Sequence, residues 1–233
     1  MGKAVELARS ALFRARLAST AVRALPDFLL IGAQKCGTTS FFHALTRHPD
    51  VHPPLFKEVR YFDLWHDRGE AWYRAHFPRE ESLRTGQEEA RHAVTGEASP
   101  DYLHHPAAPA RVRELLPDVR LVALLRNPVD RAASHWAHQR ARGRESLSFE
   151  EALAREDERL AAGELEHFSY RTRGLYLRQL EWWADLFPRD QLLVLCAERF
   201  FAAPWEIYAR ALEFMGLPQW RPKYFSPKNV GPR

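Results

Sequence analysis

Short, unbroken apolar runs alternate along this chain with longer stretches whose apolar residues recur at helical spacing. The first run, 27–31 (DFLLI), reads as a buried strand. A glycine-containing loop and a helix over 38–46 follow, and His48-Pro49 closes that helix. A second extended stretch is predicted over 56–62. A helix over 69–77 stops at Pro78, and the polar segment 79–91 reads as a surface loop. Residues 93–97 suit a short strand and 107–116 a helix ended by Pro117. The strongest strand signal is VRLVALL at 119–125, a continuous apolar run of the kind buried on both faces of a parallel sheet. Helices are predicted over 129–140, 149–162 and 175–187. Another buried strand is predicted at 191–196 (QLLVLC) and a last helix at 205–215. Trp182 and Trp183 are adjacent and cannot share a helix face, so at least one belongs to the core.

Strands alternating with helices predict an α/β fold: a single domain with a central parallel β-sheet flanked by helices. Residues 26–233 form that domain. Residues 1–25 read as an N-terminal amphipathic helix or extension, which either packs on the domain or lies on a membrane surface. Composition agrees with a globular chain, since 45% of its 233 residues are hydrophobic and 27% charged. Two cysteines, Cys36 and Cys196, cannot make a disulfide framework and suggest a reducing compartment. No apolar run approaches ~18 residues, so no transmembrane segment is predicted. No compact apolar stretch follows the basic residues Arg9, Arg14, Arg16 and Arg23, so no secretory signal is predicted either, and the expectation is a cytoplasmic protein. A net charge of +4 suits an anionic ligand and equally an ordinary solvated surface. No nucleic-acid-binding motif and no cluster with metal-ligand spacing is present, so neither partner is expected.

In a parallel sheet, ligands bind beyond the carboxyl ends of the strands, which directs attention to the loops after Ile31 and Leu125. The first loop, Gly32-Ala33-Gln34-Lys35-Cys36-Gly37-Thr38-Thr39, joins a strand to a helix, where free amides and the helix dipole collect an anion. The nucleotide-triphosphatase pattern is G-x-x-x-x-G-K-[ST]. Here Gly32 and Gly37 keep its glycine spacing, but Thr38 holds the lysine position and the lysine has moved inside the loop, to Lys35. At the second strand end, an Arg126 guanidinium and a Ser134 hydroxyl could converge on one phosphate. Asp130 and Arg131 read as a helix cap and an ion pair.

The string LIGAQKCGTTS resembles the 5′-phosphosulfate-binding motif of sulfotransferases that use 3′-phosphoadenosine 5′-phosphosulfate (PAPS). The likeness is to the heparan sulfate and carbohydrate branch and its bacterial relatives, and it runs from about Pro26 to Arg233. It implies the P-loop-containing nucleotide-binding fold of those enzymes and PAPS as co-substrate. Lys35, Cys36, Gly37, Thr38 and Thr39 are then implied at the 5′ end, and Arg126 and Ser134 at the 3′-phosphate. The stretch 173–176 (RGLY) is similar to a family segment near the nucleotide, which makes Tyr176 a further candidate contact. FKEVRYFD, 56–63, resembles the segment carrying a glutamate base, and Glu58 matches that glutamate. An attacking hydroxyl must lose its proton, which a carboxylate within reach can take. Lys35 would meet the charge left on the departing adenosine 3′,5′-bisphosphate.

Lys57 and Arg60 are candidates for an anionic acceptor, and Glu97 and Tyr102, in GEASPDY at 96–102, for the acceptor side. Ala98 stands where many heparan sulfate enzymes have lysine. A histidine base is the rival, with His92, His104 and His105 as candidates lacking a motif. Relatives continue past an N-V-G segment (229–231 here) through a basic loop and a final helix. In this chain either those elements are cut away or Arg233 is what remains of the loop. The expected function is therefore transfer of a sulfuryl group from PAPS to a hydroxyl or amine of an acceptor such as a glycan. The alternatives are a P-loop nucleotide kinase or ATPase, and a catalytically degenerate PAPS-binding protein.

Overall fold

The computed structural model describes residues 3–19, 21–84 and 93–226. Its five-stranded sheet comprises β1 (Phe28–Gly32), β2 (Val51–His52), β3 (Val94–Ala98), β4 (Arg120–Leu125) and β5 (Leu192–Cys196), in the order β2-β3-β1-β4-β5. Every pairing between these strands is parallel. Parallel neighbours need crossover connections, and helices supply them. α1 (Lys3–Leu17) precedes the sheet, and α2 (Thr38–Leu45) follows β1. α3 (Glu70–Arg74) lies between β2 and β3, and α4 (Ala108–Leu115) between β3 and β4. α5 (Pro128–Ala141), α6 (Phe149–Ala154), α7 (Glu156–Ala161), α8 (Leu165–Phe168) and α9 (Tyr176–Ala184) separate β4 from β5. α10 (Ala197–Ala202) and α11 (Pro204–Phe214) come last.

β1 and β4 are central because their side chains can be buried on both faces. Leu29, Leu30, Ile31, Leu121, Val122, Ala123 and Leu124 are all fully enclosed. Phe41, Phe62, Tyr73, Tyr102, Trp183 and Tyr208 fill the layers against the sheet, and Trp183 is the core member of the tryptophan pair. The chain climbs from β1 to β3 on one side and then crosses to β4 on the other. The carboxyl ends of β1 and β4 are thus a topological switch point.

Several predicted elements differ in the structure. Residues 56–62 form no strand. The Val59 and Arg60 amides donate to the Glu97 and Ser99 side chains at the end of β3, and Arg60 sits at φ 59°. The strand on that side is β2, whose two residues are too few to leave a periodic signal. The predicted helix 149–162 is two helices broken at Arg155 (ψ 2°), and the helix expected over 69–77 is only Glu70–Arg74. In the expected loop 79–91, Glu80–Leu83 forms a 3-10 turn, and 85–91 falls outside the described residues. β5 is an edge strand covered by β4 on one side only, and Val194 is 41% exposed rather than buried.

Gly96 of β3 marks the closest approach within this core. A Cβ there would stand 2.5 Å from the Phe28 ring, which Phe42 packs against in turn. Gly96→Ala is therefore expected to cost about 1–3 kcal/mol by overpacking. Urea denaturation checks this, and an unchanged midpoint would mean that the Phe28 ring moves aside freely.

Candidate active site

Three segments meet at the carboxyl edge of the sheet. The first is the loop from Gly32 to Gly37. The Ala33 amide donates to the Leu124 carbonyl at 2.8 Å and lashes the start of the loop to the end of β4. The loop ends at Gly37, the residue before α2, in the left-handed region at φ 86°. A side chain there would be strained, and its Cβ would also strike Phe201 at 2.6 Å. A Cβ on Gly32 would meet Leu103 at the same distance. The loop can therefore bring bare backbone and the first-turn amides of α2, at Thr38 and Thr39, to a ligand. Cys36 is fully buried, so its side chain forms the floor of the loop and its possible ligand contact is through the backbone.

The second segment is the end of β4 with α5. Asn127 caps α5, its Oδ1 accepting from the Val129 and Asp130 amides at 2.9 and 3.3 Å. Asp130, expected as a cap, instead faces Arg126 at 3.8 Å. Arg131 makes no surface ion pair; it is fully buried and donates to the Tyr170 carbonyl. Ser134 lies half-buried about two turns into the helix. Tyr176 brings the RGLY stretch to the same place, with its hydroxyl 3.7 Å from the Cys36 sulfur. Burial raises both the Cys36 thiol and the Tyr176 phenol, and the Arg126 backbone opposes this in each.

Lys35 joins the two segments electrostatically. Burial lowers its ammonium pKa, and the charges of Arg142 and Arg126 lower it further. His138 is lowered by burial and then by Lys35, Arg142 and Arg144. His135 is pushed down to about 2 by burial and by Arg173, Arg131, Lys35 and His138. Arg131, His135, His138 and Arg142 follow the spacing i, i+4, i+7, i+11, which places them along one face of α5 and its end. That spacing was available in the sequence, although it was not read there. With both histidines held neutral, the positive charge near Lys35 comes from Arg126 and Arg142, which suits a polyanion.

The third segment is 57–60, which crosses the end of β3. The Ala98 amide donates to the Lys57 carbonyl at 3.1 Å, Val59 N–H to Glu97 Oε2 at 3.1 Å and Arg60 N–H to Ser99 Oγ at 3.0 Å. Glu58 is consequently held out at the rim, its carboxylate 2.7 Å from Lys57 Nζ and 46% exposed. Arg60 is engaged internally, pairing with Asp63 at 2.5 Å and Asp101 at 3.1 Å. Arg173 binds the other oxygen of Asp101.

Glu97 and Tyr102, expected on the acceptor side, are fully buried. Glu97 accepts from Ser99 Oγ (2.6 Å), Tyr102 Oη (2.8 Å), Tyr73 Oη (2.9 Å) and the Val59 amide. Burial still outweighs these four donors and raises its carboxyl to about 7.

Of the histidines considered as bases, His104 is held down at about 3 by burial and by Arg173, and burial lowers His105 as well. So weak a base gains little by taking a proton from a hydroxyl. His92 and Arg233 lie outside the described residues. A separate cleft of about 470 Å3, bounded by Leu25, Asp27, Leu115, Asp118, Arg120 and Met215, opens at the opposite ends of β1 and β4, away from these segments.

Comparison with known proteins gives this geometry a context. Residues 25–225 match the family model described as Sulfotransferase domain. A heparan sulfate glucosamine 3-O-sulfotransferase 6 from mouse (Mus musculus) is 32% identical over 200 residues, which cover 84% of this chain and 53% of that protein. The chain thus spans about half the length of the curated relatives it matches. A solved sulfotransferase from Alicyclobacillus acidocaldarius is 34% identical with a TM-score of 0.67, over 84% of this chain and 82% of that one. A mouse sulfotransferase solved in complex with PAP shares the fold at 14% identity and a TM-score of 0.54, over 91% and 66% of the two chains.

The Glu97 cluster generates a prediction with a defined sign. Its carboxyl holds a proton in the folded state up to about pH 7, whereas the ordinary value is 4.5. The folded state therefore binds more protons across that window, and the contribution of Glu97 is lost as pH rises through it. The stability advantage of wild type over Glu97→Gln should shrink by on the order of 2 kcal/mol from pH 5 to pH 7.5. Taking the difference between the two proteins cancels the buried neutral histidines, whose contribution runs the other way. Denaturant titrations at both pH values measure it, and a constant difference would place the titration elsewhere.

Proposed function

The chain belongs to the sulfotransferase family, and on that premise we propose that it moves a sulfuryl group from PAPS to a hydroxyl or amine of a polar, carbohydrate-like acceptor. The observation that carries this reading is the convergence of Lys35 and Arg126 on one switch point, close enough that the Arg126 charge acts on the Lys35 ammonium. The Lys35 ammonium is disfavoured by its own burial and by the charges of Arg142 and Arg126, and a ligand with phosphate groups at both ends removes that cost. Gly32 and Gly37 pack against Leu103 and Phe201 too closely for a Cβ, which fixes the path of the loop, and the first-turn amides of α2 follow it as anion donors.

In this reading PAPS supplies the activated sulfuryl group. The 33–37 backbone, Lys35 and the Thr38 and Thr39 hydroxyls hold its 5′ end. Arg126 and Ser134 hold the 3′-phosphate, and Tyr176 supports the loop floor from below. Glu58 takes the proton of the acceptor as the new bond to sulfur forms. The bond from sulfur to the phosphate oxygen breaks, and Lys35 meets the charge left on that oxygen. Positioning carries much of the rate in such a displacement. Glu97, Ser99 and Tyr102 act here as positioning residues, because they fix the 57–60 segment that presents Glu58. Lys57 shares an ion pair with Glu58 and is available to exchange that partner for an anionic acceptor, whereas Arg60 serves the scaffold. The name of the heparan sulfate relative supports a glycan as acceptor.

Two sets of variants test the assignment. Lys35→Ala and Arg126→Ala should each weaken binding of adenosine 3′,5′-bisphosphate at least about tenfold by calorimetry. Undiminished binding in the double variant would refute the donor site. Tight magnesium-ATP binding without bisphosphate binding would favour a kinase. Glu58→Gln should lower kcat by about 10²–10⁴ while leaving bisphosphate affinity unchanged. Full activity in that variant would assign the base elsewhere.

A further inference from the structure

α1 rests on the domain along one narrow edge and leaves both polar residues (Glu6, Ser10 and Arg14) and an apolar stripe open to solvent. Arg9, Phe13 and Arg16 are its partly covered residues. The Phe13 ring lies 5.8 Å from Trp72 and 4.5 Å from His76, and Arg16 donates to the Phe77 carbonyl at 3.2 Å. The other side carries Val5, Leu7, Ala8, Ala11, Leu12 and Ala15, all exposed, with Leu7 71% open to solvent. At 100° per residue these six positions fill a continuous arc of about 160° with no polar residue among them. Arg14 borders the arc on one edge and Arg9 and Arg16 on the other. The stripe runs from Val5 to Ala15 and is therefore about 15 Å long.

An apolar stripe with Arg14 at one edge and Arg9 at the other matches a surface that is apolar below and anionic at its edge. We propose that α1 is an in-plane anchor that seats this domain on an anionic lipid surface. A second copy of the chain is disfavoured as occupant. Two such helices face to face would bring Arg9, Arg14 and Arg16 against their counterparts, with Glu6 as the acid that α1 offers among its described side chains. Insertion across the bilayer is a different matter, since among the described residues no helix is long and apolar enough to span it. The anchor is independent of what the loop at Lys35 binds, and it uses none of those residues.

Vesicle flotation of the full chain tests the proposal. The protein should float with phosphatidylcholine vesicles containing phosphatidylserine. It should bind pure phosphatidylcholine vesicles at least about tenfold more weakly, and high salt should release it. Leu7→Glu combined with Leu12→Glu should abolish flotation while the far-ultraviolet circular dichroism and the cooperative melt persist. Should that variant unfold, Arg14→Glu alone decides, through loss of the preference for the anionic lipid. Absence of flotation, or equal flotation on both vesicle types, overturns the proposal. So does a concentration-dependent dimer in light scattering that the double leucine variant dissolves, because that result assigns the stripe to a second copy.

Discussion

One hydrogen bond sets the register on which the site depends. The Ala33 amide leaves β1 just past its last residue and reaches the carbonyl of Leu124, on the neighbouring strand, at 2.8 Å. It forces the loop to begin level with the end of β4, where Gly32 pairs with Ala123, and Arg126 then emerges beside the turn that carries Lys35. Only a central parallel pair buried on both faces can hold two strand ends level in this way, so the apolar character of FLLI and LVALL is upstream of the electrostatics.

The charges then fall into two groups with opposite logic. On the β1–β4 side, Lys35 faces the charges of Arg142 and Arg126, a cost the fold tolerates and a polyanion relieves. On the β3 side, Glu97 is buried among hydroxyl and amide donors with no basic group among the main influences on it, and it titrates near neutrality. The exposed carboxylate of Glu58 stands on the segment that this buried one restrains. A buried carboxyl on β3 and an exposed carboxyl on the segment that crosses it thus meet at one strand end in opposite environments.

Much of the framework was legible in the sequence because it rests on periodicity. The run 119–125 could be nothing but an interior strand, and the glycine loop after 27–31 announced itself by spacing and by its displaced lysine. What escaped depends on partners distant in the chain. Residues 56–62 look extended, yet no strand faces them, and Glu97 and Ser99, about 40 residues away, satisfy their amides instead. The same distance hid the burial of Tyr102 and the commitment of Arg60 to Asp101. The two-residue strand β2 is too short to leave a pattern, and the break at Arg155 follows no proline or glycine. The row of arginines and histidines on α5 could have been found by helical spacing, but each of its members alone resembles an ordinary polar surface residue.

Asp101 grips Arg60 with one carboxylate oxygen and Arg173 with the other, and Arg173 is braced by Ser169 at 2.9 Å. Arg60 belongs to the segment presenting Glu58, whereas Arg173 opens the turn that delivers Tyr176 beneath the loop. The two flanks of the cleft are thereby bolted together through one carboxylate, which sits in a poorly hydrated place where separating ion pairs is costly. Moving either flank alone would break a buried ion pair, so a displacement of the segment that carries Glu58 is felt at the turn that carries Tyr176.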